Sequence, residues 1–220
     1  MLFGLIKSSL PWEWNLILIL TFILALMIAL VLHEVAHAYA ALKCGDPSAK
    51  MARRLSLNPM RHIEPFGLLC FCLAGIGWAK PVPVNPFNYR NFRRGNFWVS
   101  ISGVLVNLVL GILCSLFMYI IFRFGDLGNL GIWGLYYFFV FGCVVNVSLL
   151  VFNLLPIFPL DGYNVLVSFT KPNNRFMIFM RRYSMFILMA VLIVSVFTGA
   201  IGYARDGIID GFLRFWALMF

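Results

Sequence analysis

Apolar runs long enough to cross a bilayer leave this chain few folds to adopt. A membrane-spanning helix needs about 20 largely apolar residues. Four stretches meet that length, near Trp14–Ala40, Phe97–Phe122, Ile132–Leu155 and Tyr183–Tyr203. Trp12, Trp14, Trp98 and Trp133 stand at their ends, where amphipathic rings favour the membrane interface. With 62% of residues hydrophobic and 11% charged, a soluble domain could not cover its own apolar surface. Nothing resembling a soluble domain remains once the runs are marked, so residues 1–220 read as a single membrane-embedded domain. The first run is too long, and too weakly basic at its start, for a cleaved signal peptide.

The remaining segments are shorter. Phe66–Trp78 is apolar and holds three glycines, which predicts a re-entrant or interfacial stretch. Lys80–Asn85 contains Pro81 and Pro83, which confine it to an extended edge or a rigid loop. Residues 207–220 mix Asp210 and Arg214 with Phe212, Phe215 and Trp216, the pattern of an amphipathic helix on the membrane surface. The expected fold is an all-α polytopic membrane protein with about four to six transmembrane helices. A re-entrant or membrane-associated extended (β) segment is expected between the first two spans.

Charge orients the spans. Thirteen of the 17 Lys and Arg residues fall between spans one and two or between spans three and four. The positive-inside rule puts both of those loops in the cytoplasm and both termini outside. Orientation also accounts for the net charge of +9 without a nucleic-acid partner. The five cysteines lack C-x-x-C spacing and mostly sit in apolar runs, as buried free thiols do.

The first span ends in His33-Glu34-Val35-Ala36-His37, an H-E-x-x-H pattern. Residues four apart share a helix face, so both imidazoles can grip one zinc ion, with Glu34 beside them as a proton acceptor. With three His and three Glu in 220 residues, chance supplies about 0.0006 such matches. Ionisable residues in an apolar helix are also costly unless they serve a purpose. A catalytic zinc site needs a third protein ligand, for which His62 and Asp161 are the candidates. The topology favours Asp161, because spans one and three end on the same side. Alone, Asp161-Gly162 would read as a turn.

H-E-x-x-H combined with a distant Asn153-x-x-Pro156-x-x-x-Leu160-Asp161-Gly162 resembles the site-2 protease family of intramembrane zinc metalloproteases. The stretches Asn58–Gly67 and Gly77–Pro86 are similar to its compact bacterial members, so the likeness runs from about Leu32 to Gly162. One departure is Ser102-Gly103-Val104-Leu105-Val106-Asn107, where the family often shows A-G-P-x-x-N. The resemblance implies one zinc per chain held by His33, His37 and Asp161, with Glu34 as the catalytic base. It implies substrate contacts for Asn153 and Asn107, although Asn153 could equally make a hydrogen bond between helices. His62 and Glu64 lie in a proline-bounded loop that favours structural roles. The expected activity is hydrolysis of peptide bonds in or near transmembrane segments. The expected partners are a transmembrane protein or peptide and membrane lipid, in a bacterial cytoplasmic membrane with the site toward the cytoplasm. A zinc-binding or transport protein without proteolytic activity is the alternative, distinguished by a polar path through the opposite leaflet.

Overall fold

A computed structural model of the chain describes residues 9–62, 64–74, 80–170 and 174–220. Every regular element among them is helical. Three long helices form the scaffold: α1 (Trp12–Cys44), then, after two short helices, α4 (Phe92–Phe124) and α5 (Leu130–Asn153). These three are long and apolar enough to cross a membrane. Between α1 and α4 lie α2 (Ser48–Met51) and α3 (Pro65–Ala74). After α5 come α6 (Asp161–Phe169), α7 (Arg175–Arg182), α8 (Ser184–Thr198) and α9 (Ala200–Met219).

The three scaffold helices pack on one another along most of their length. α1 pairs with α4 in antiparallel fashion, since His33 meets Asn107, His37 meets Val99, and Cys44 meets Arg90. α1 pairs with α5 in parallel, with Trp14 on Trp133 and Phe22 on Phe141. Phe22, Leu26, Ala29 and Val145 form the buried seam. The outward stripe of α1, Leu16, Leu20, Leu24 and Ile28, stays exposed at four-residue spacing. Such a stripe would be a liability in water and is natural against lipid. The chain is therefore an integral membrane protein, all-helical among the described residues.

Helix ends follow local chemistry. α1 stops at Gly45, whose φ of 109° is open to glycine but strained for other residues. Gly45 N–H bonds Leu42 C=O and Asp46 N–H bonds Ala41 C=O, closing the last turn. Asn91 and Asn129 cap α4 and α5 by accepting from Arg94 N–H and from Gly131 and Ile132 N–H.

Two expectations change, and one open pair of alternatives narrows. The fourth run is not one continuous helix: α8 covers 15 residues and ends at Gly199, in the left-handed region at φ 67°. α7 and α8 together qualify as a span only with a 73° bend between them. Residues 207–220 do not form a helix of their own. They belong to α9, which docks on α4 and α5 through Trp216 Nε1–H to Ser115 Oγ (2.9 Å) and places Phe212 beside Gly111. Lys80–Asn85 forms no strand. Pro81 and Pro83 lack N–H groups, and Val82 and Asn85 donate theirs to carboxylates, so no ladder can form. Of the Phe66–Trp78 stretch, the part up to Ala74 is helix, about 15 Å long and too short to span. The part from Gly75 lies outside the described residues, as do Lys7 and Lys171 of the basic tally.

Candidate active site

The H-E-x-x-H residues lie in the last third of α1, seven to eleven residues before its end at Cys44. The facing stretch of α4 is small and polar. A Cβ added to Gly103 would fall 2.5 Å from His37 Nε2 and 2.6 Å from His33 Cε1, so only glycine leaves room for both rings. Beside it, His33 Nδ1–H donates to Asn107 Oδ1 (3.1 Å) and His37 Nδ1–H donates to Val99 C=O (2.7 Å). With both Nδ1 atoms committed as donors, both Nε2 atoms carry lone pairs.

The third group arrives from α6. After α5 ends, Leu154–Leu160 turns the chain back, and Asp161 opens the next helix. Gly162 makes this turn possible: a Cβ there would run into Leu154 C=O. Buried Asn96 on α4 ties α6 in place by donating to Asn164 C=O (2.6 Å) and Ser168 Oγ (2.9 Å). Asp161 Oδ2 then lies 3.4 Å from His33 Nε2 and 3.3 Å from His37 Nε2, and the two Nε2 atoms are 3.0 Å apart.

This triangle fits a metal. Ligands about 2.0–2.1 Å from a tetrahedral zinc lie about 3.3 Å from one another, close to all three separations. Asp161 Oδ2 is buried without a hydrogen-bond donor, and the two Nε2 atoms face it with lone pairs. Three acceptors converging with no proton between them call for a cation at the centre. Among the described residues, this is the one such group of three His, Cys, Asp or Glu side chains. The side chains are 8–15% exposed, enough to be reached from one side.

That side is a cavity of about 380 Å³. Glu34 lines it beside the triangle, with Oε2 accepting from Val82 N–H (3.1 Å). Asn153 from α5, Asn164 from α6 and the segment Pro81–Val84 also contribute to its walls. His33, Glu34, His37, Asp161 and Asn153, all anticipated from sequence, thus share one site. Asn107 has another setting: it is fully buried, off the cavity wall, and bonded to His33 rather than open to a substrate. His62 is fully buried and bonds Ser56 C=O through Nε2 (2.6 Å), apart from the triangle. Glu64 accepts from Gly67 N–H at the start of α3 (2.6 Å). Cys44, Cys70, Cys114 and Cys143 are free thiols. Asn96 and Asn164 escaped the sequence reading, and Gly103 entered it only within the Ser102–Asn107 stretch, with no role of its own.

Comparison with known proteins places the chain in a lineage. Residues 118–195 match the model of Peptidase family M50. YwhC of Bacillus subtilis (strain 168), named as a candidate zinc metalloprotease, is 36% identical over 174 residues, covering 79% of this chain and 80% of YwhC. Rip2 of Mycolicibacterium smegmatis, named in the same way, is 30% identical over 77% of this chain and 64% of its own length. Rip2 of Mycobacterium tuberculosis is 32% identical over 68% of this chain and 57% of its own length. No solved structure matches significantly. Identity of 36% sustained over most of both chains reflects common descent, and the chain belongs to peptidase family M50, the site-2 protease family.

Proposed function

We propose that this protein is an intramembrane zinc metalloendopeptidase that hydrolyses peptide bonds within or near transmembrane segments of membrane proteins. The observation that carries the reading is the triangle of His33, His37 and Asp161 acceptors opening onto a cavity that also holds Glu34. Those three residues would hold one zinc ion, which when bound would supply Lewis acidity toward a carbonyl and make water acidic enough to attack near neutral pH. Glu34 takes the proton of the attacking water and returns it to the leaving amine. Asn107 keeps the His33 ring in the tautomer that presents Nε2 to the metal, and Val99 C=O does the same for His37. Asn153 offers its side-chain amide to the substrate backbone, and the Pro81–Val84 wall runs alongside an unwound substrate.

The protein acts as a single membrane-embedded domain in a bacterial cytoplasmic membrane, with the site toward the cytoplasm. The support is that α1 and α5 end, and α4 begins, on the side that carries 12 of the 15 described basic residues. A transport role would need polar groups leading on through the other half of the bundle. There, among the described residues of α4, Ser115 is buried, donating to Ile112 C=O and accepting from Trp216. That arrangement ties helices together, and buried Asn146 of α5 donates to Gly142 C=O of its own helix; neither residue lines the cavity.

The test pairs wild type with Glu34→Gln in detergent, measuring zinc content and cleavage of a model transmembrane helix with and without chelator. About one zinc per chain in both proteins, with cleavage only by chelator-free wild type, is expected. A fold-retaining preparation without zinc would overturn the reading.

A further inference from the structure

The Lys80–Asn88 segment forms one wall of the cavity without belonging to a helix or strand until the short turn Pro86–Asn88. Its position therefore depends on what grips it. Arg54, itself buried, donates to Pro81 C=O (3.1 Å) and to Arg61 C=O, and Lys80 N–H donates to His62 C=O (2.9 Å). Asp46 holds the other end. It is fully buried and accepts four hydrogen bonds, from Ser48 N–H (3.1 Å), Ser48 Oγ–H (2.5 Å), Asn88 Nδ2–H (2.9 Å) and Asn85 N–H (2.7 Å).

Asp46 is also fixed to α1, because its own N–H closes the last helical turn on Ala41 C=O. Glu34 and Asp46 are thus two carboxylates carried by one rigid helix and its cap. Both grip the same segment three residues apart, Glu34 through Val82 N–H and Asp46 through Asn85 N–H. Pro81 and Pro83 have no N–H to give. Val84 also lines the cavity, and no described residue accepts its N–H.

We propose that Asp46 is a positioning residue of the active site, holding Pro81–Asn85 so that Val82 N–H meets Glu34 and the cavity wall is set for an extended substrate. The inference rests on the proteolytic reading above. Burial by itself would raise the Asp46 pKa, but hydrogen bonds from Asn85, Ser48 and Asn88 outweigh it and hold the carboxyl below its ordinary value. The group is therefore charged at neutral pH, and charged acceptors make the stronger bonds.

The experiment uses the full chain in detergent as wild type, Asp46→Asn and Asn88→Ala. Asp46→Asn sets a donor against either Asn85 N–H or the Ser48–Asn88 group. Asn88 is exposed, so its truncation spares the fold while removing one bond to Asp46. Each protein is assayed for zinc content, thermal midpoint, kcat and KM on a model transmembrane substrate, and amide exchange across residues 80–88. Asp46→Asn is expected to keep its zinc, exchange faster across 80–88, and lose about tenfold or more in kcat/KM, with KM rising as well as kcat falling. Asn88→Ala should move the same way by a smaller factor. Unchanged exchange or unchanged kcat/KM in Asp46→Asn overturns the proposal. A fall in kcat alone that tracks lost zinc and a lowered midpoint also overturns it, since it would mark a stability effect. Zinc-loaded wild type that cleaves no helix removes the proteolytic reading itself, whatever the variants do.

Discussion

The two ends of the three-helix scaffold are built from the same helices on different principles. At the end where α1 begins, contact is aromatic: Trp14 sits edge-on to Trp133 at 4.6 Å, Phe22 edge-on to Phe141 at 5.4 Å, and Phe117 stacks on Phe139 at 5.0 Å. At the end where α1 stops, directional hydrogen bonds predominate: His33 to Asn107, His37 to Val99, Asn96 to α6, and Asp46 to the cavity wall. In lipid, helices associate by tight packing and gain only about 0.6 kcal/mol from an interhelical hydrogen bond, while buried ionisable groups are costly. A polar network concentrated at one end therefore marks where chemistry is done, and the aromatic end serves to hold the helices together. Substitutions at the first end should shift stability by small, graded amounts, whereas those at the second should switch function off.

The sharpest break should come from Asp161→Ala. Removing the third ligand leaves two imidazoles, and we expect loss of stoichiometric zinc with cleavage down about a thousandfold or more, checked by metal analysis and substrate assay. Gly103→Ala should come next. Its Cβ would press on both rings at 2.5–2.7 Å, whereas in Gly111→Ala, two turns further along α4, it would meet Val147 Cγ2 at 3.1 Å. Zinc titration should show Gly103→Ala weakened at least about tenfold and Gly111→Ala close to wild type; equal behaviour would erase the distinction between the ends. Asn107→Leu leaves His33 Nδ1–H unpaired and should cost about 10–100-fold in zinc affinity with the fold intact by circular dichroism. Phe141→Leu, at the aromatic end, should lose about 0.5–1.5 kcal/mol of stability beyond its area effect while kcat per folded molecule stays unchanged.

The smallest effect concerns pH. Asp46 is held below its ordinary pKa in the folded state, so the unfolded chain binds its proton more readily. Its contribution to stability is fully present above about pH 4 and is lost as pH falls through the folded value. Loss of protection over residues 80–88, measured as exchange relative to the intrinsic rate at the same pH, should accordingly appear only in that acid range, and not between pH 5 and 8.

Much of this was legible in the sequence. Hydropathy located α1, α4 and α5 to within about five residues at each end. The H-E-x-x-H spacing together with Leu160-Asp161-Gly162 identified the triangle, because four-residue spacing and span direction are properties a linear chain displays. The break at Gly199 was not visible, since a left-handed glycine adds nothing to a hydropathy run. The docking of α9 was hidden because amphipathicity shows that a face exists without naming its partner. The work of Asn107, Gly103 and Asp46 depends on contacts between segments 39 to 74 residues apart, and no local pattern reports those.

The proposed ligand set is divided between unequal supports. Two ligands ride on a 33-residue helix, while the third stands at the start of a nine-residue helix reached through a turn. An ion joining them is a clasp as well as a reagent, fastening the light member to the heavy one. Affinity for the ion then includes the work of keeping α6 docked, and anything that frees α6 loosens the ion by the same free energy. Starving the protein of metal would first be felt as slack in α6 and its neighbour α7, with the long helices still in place.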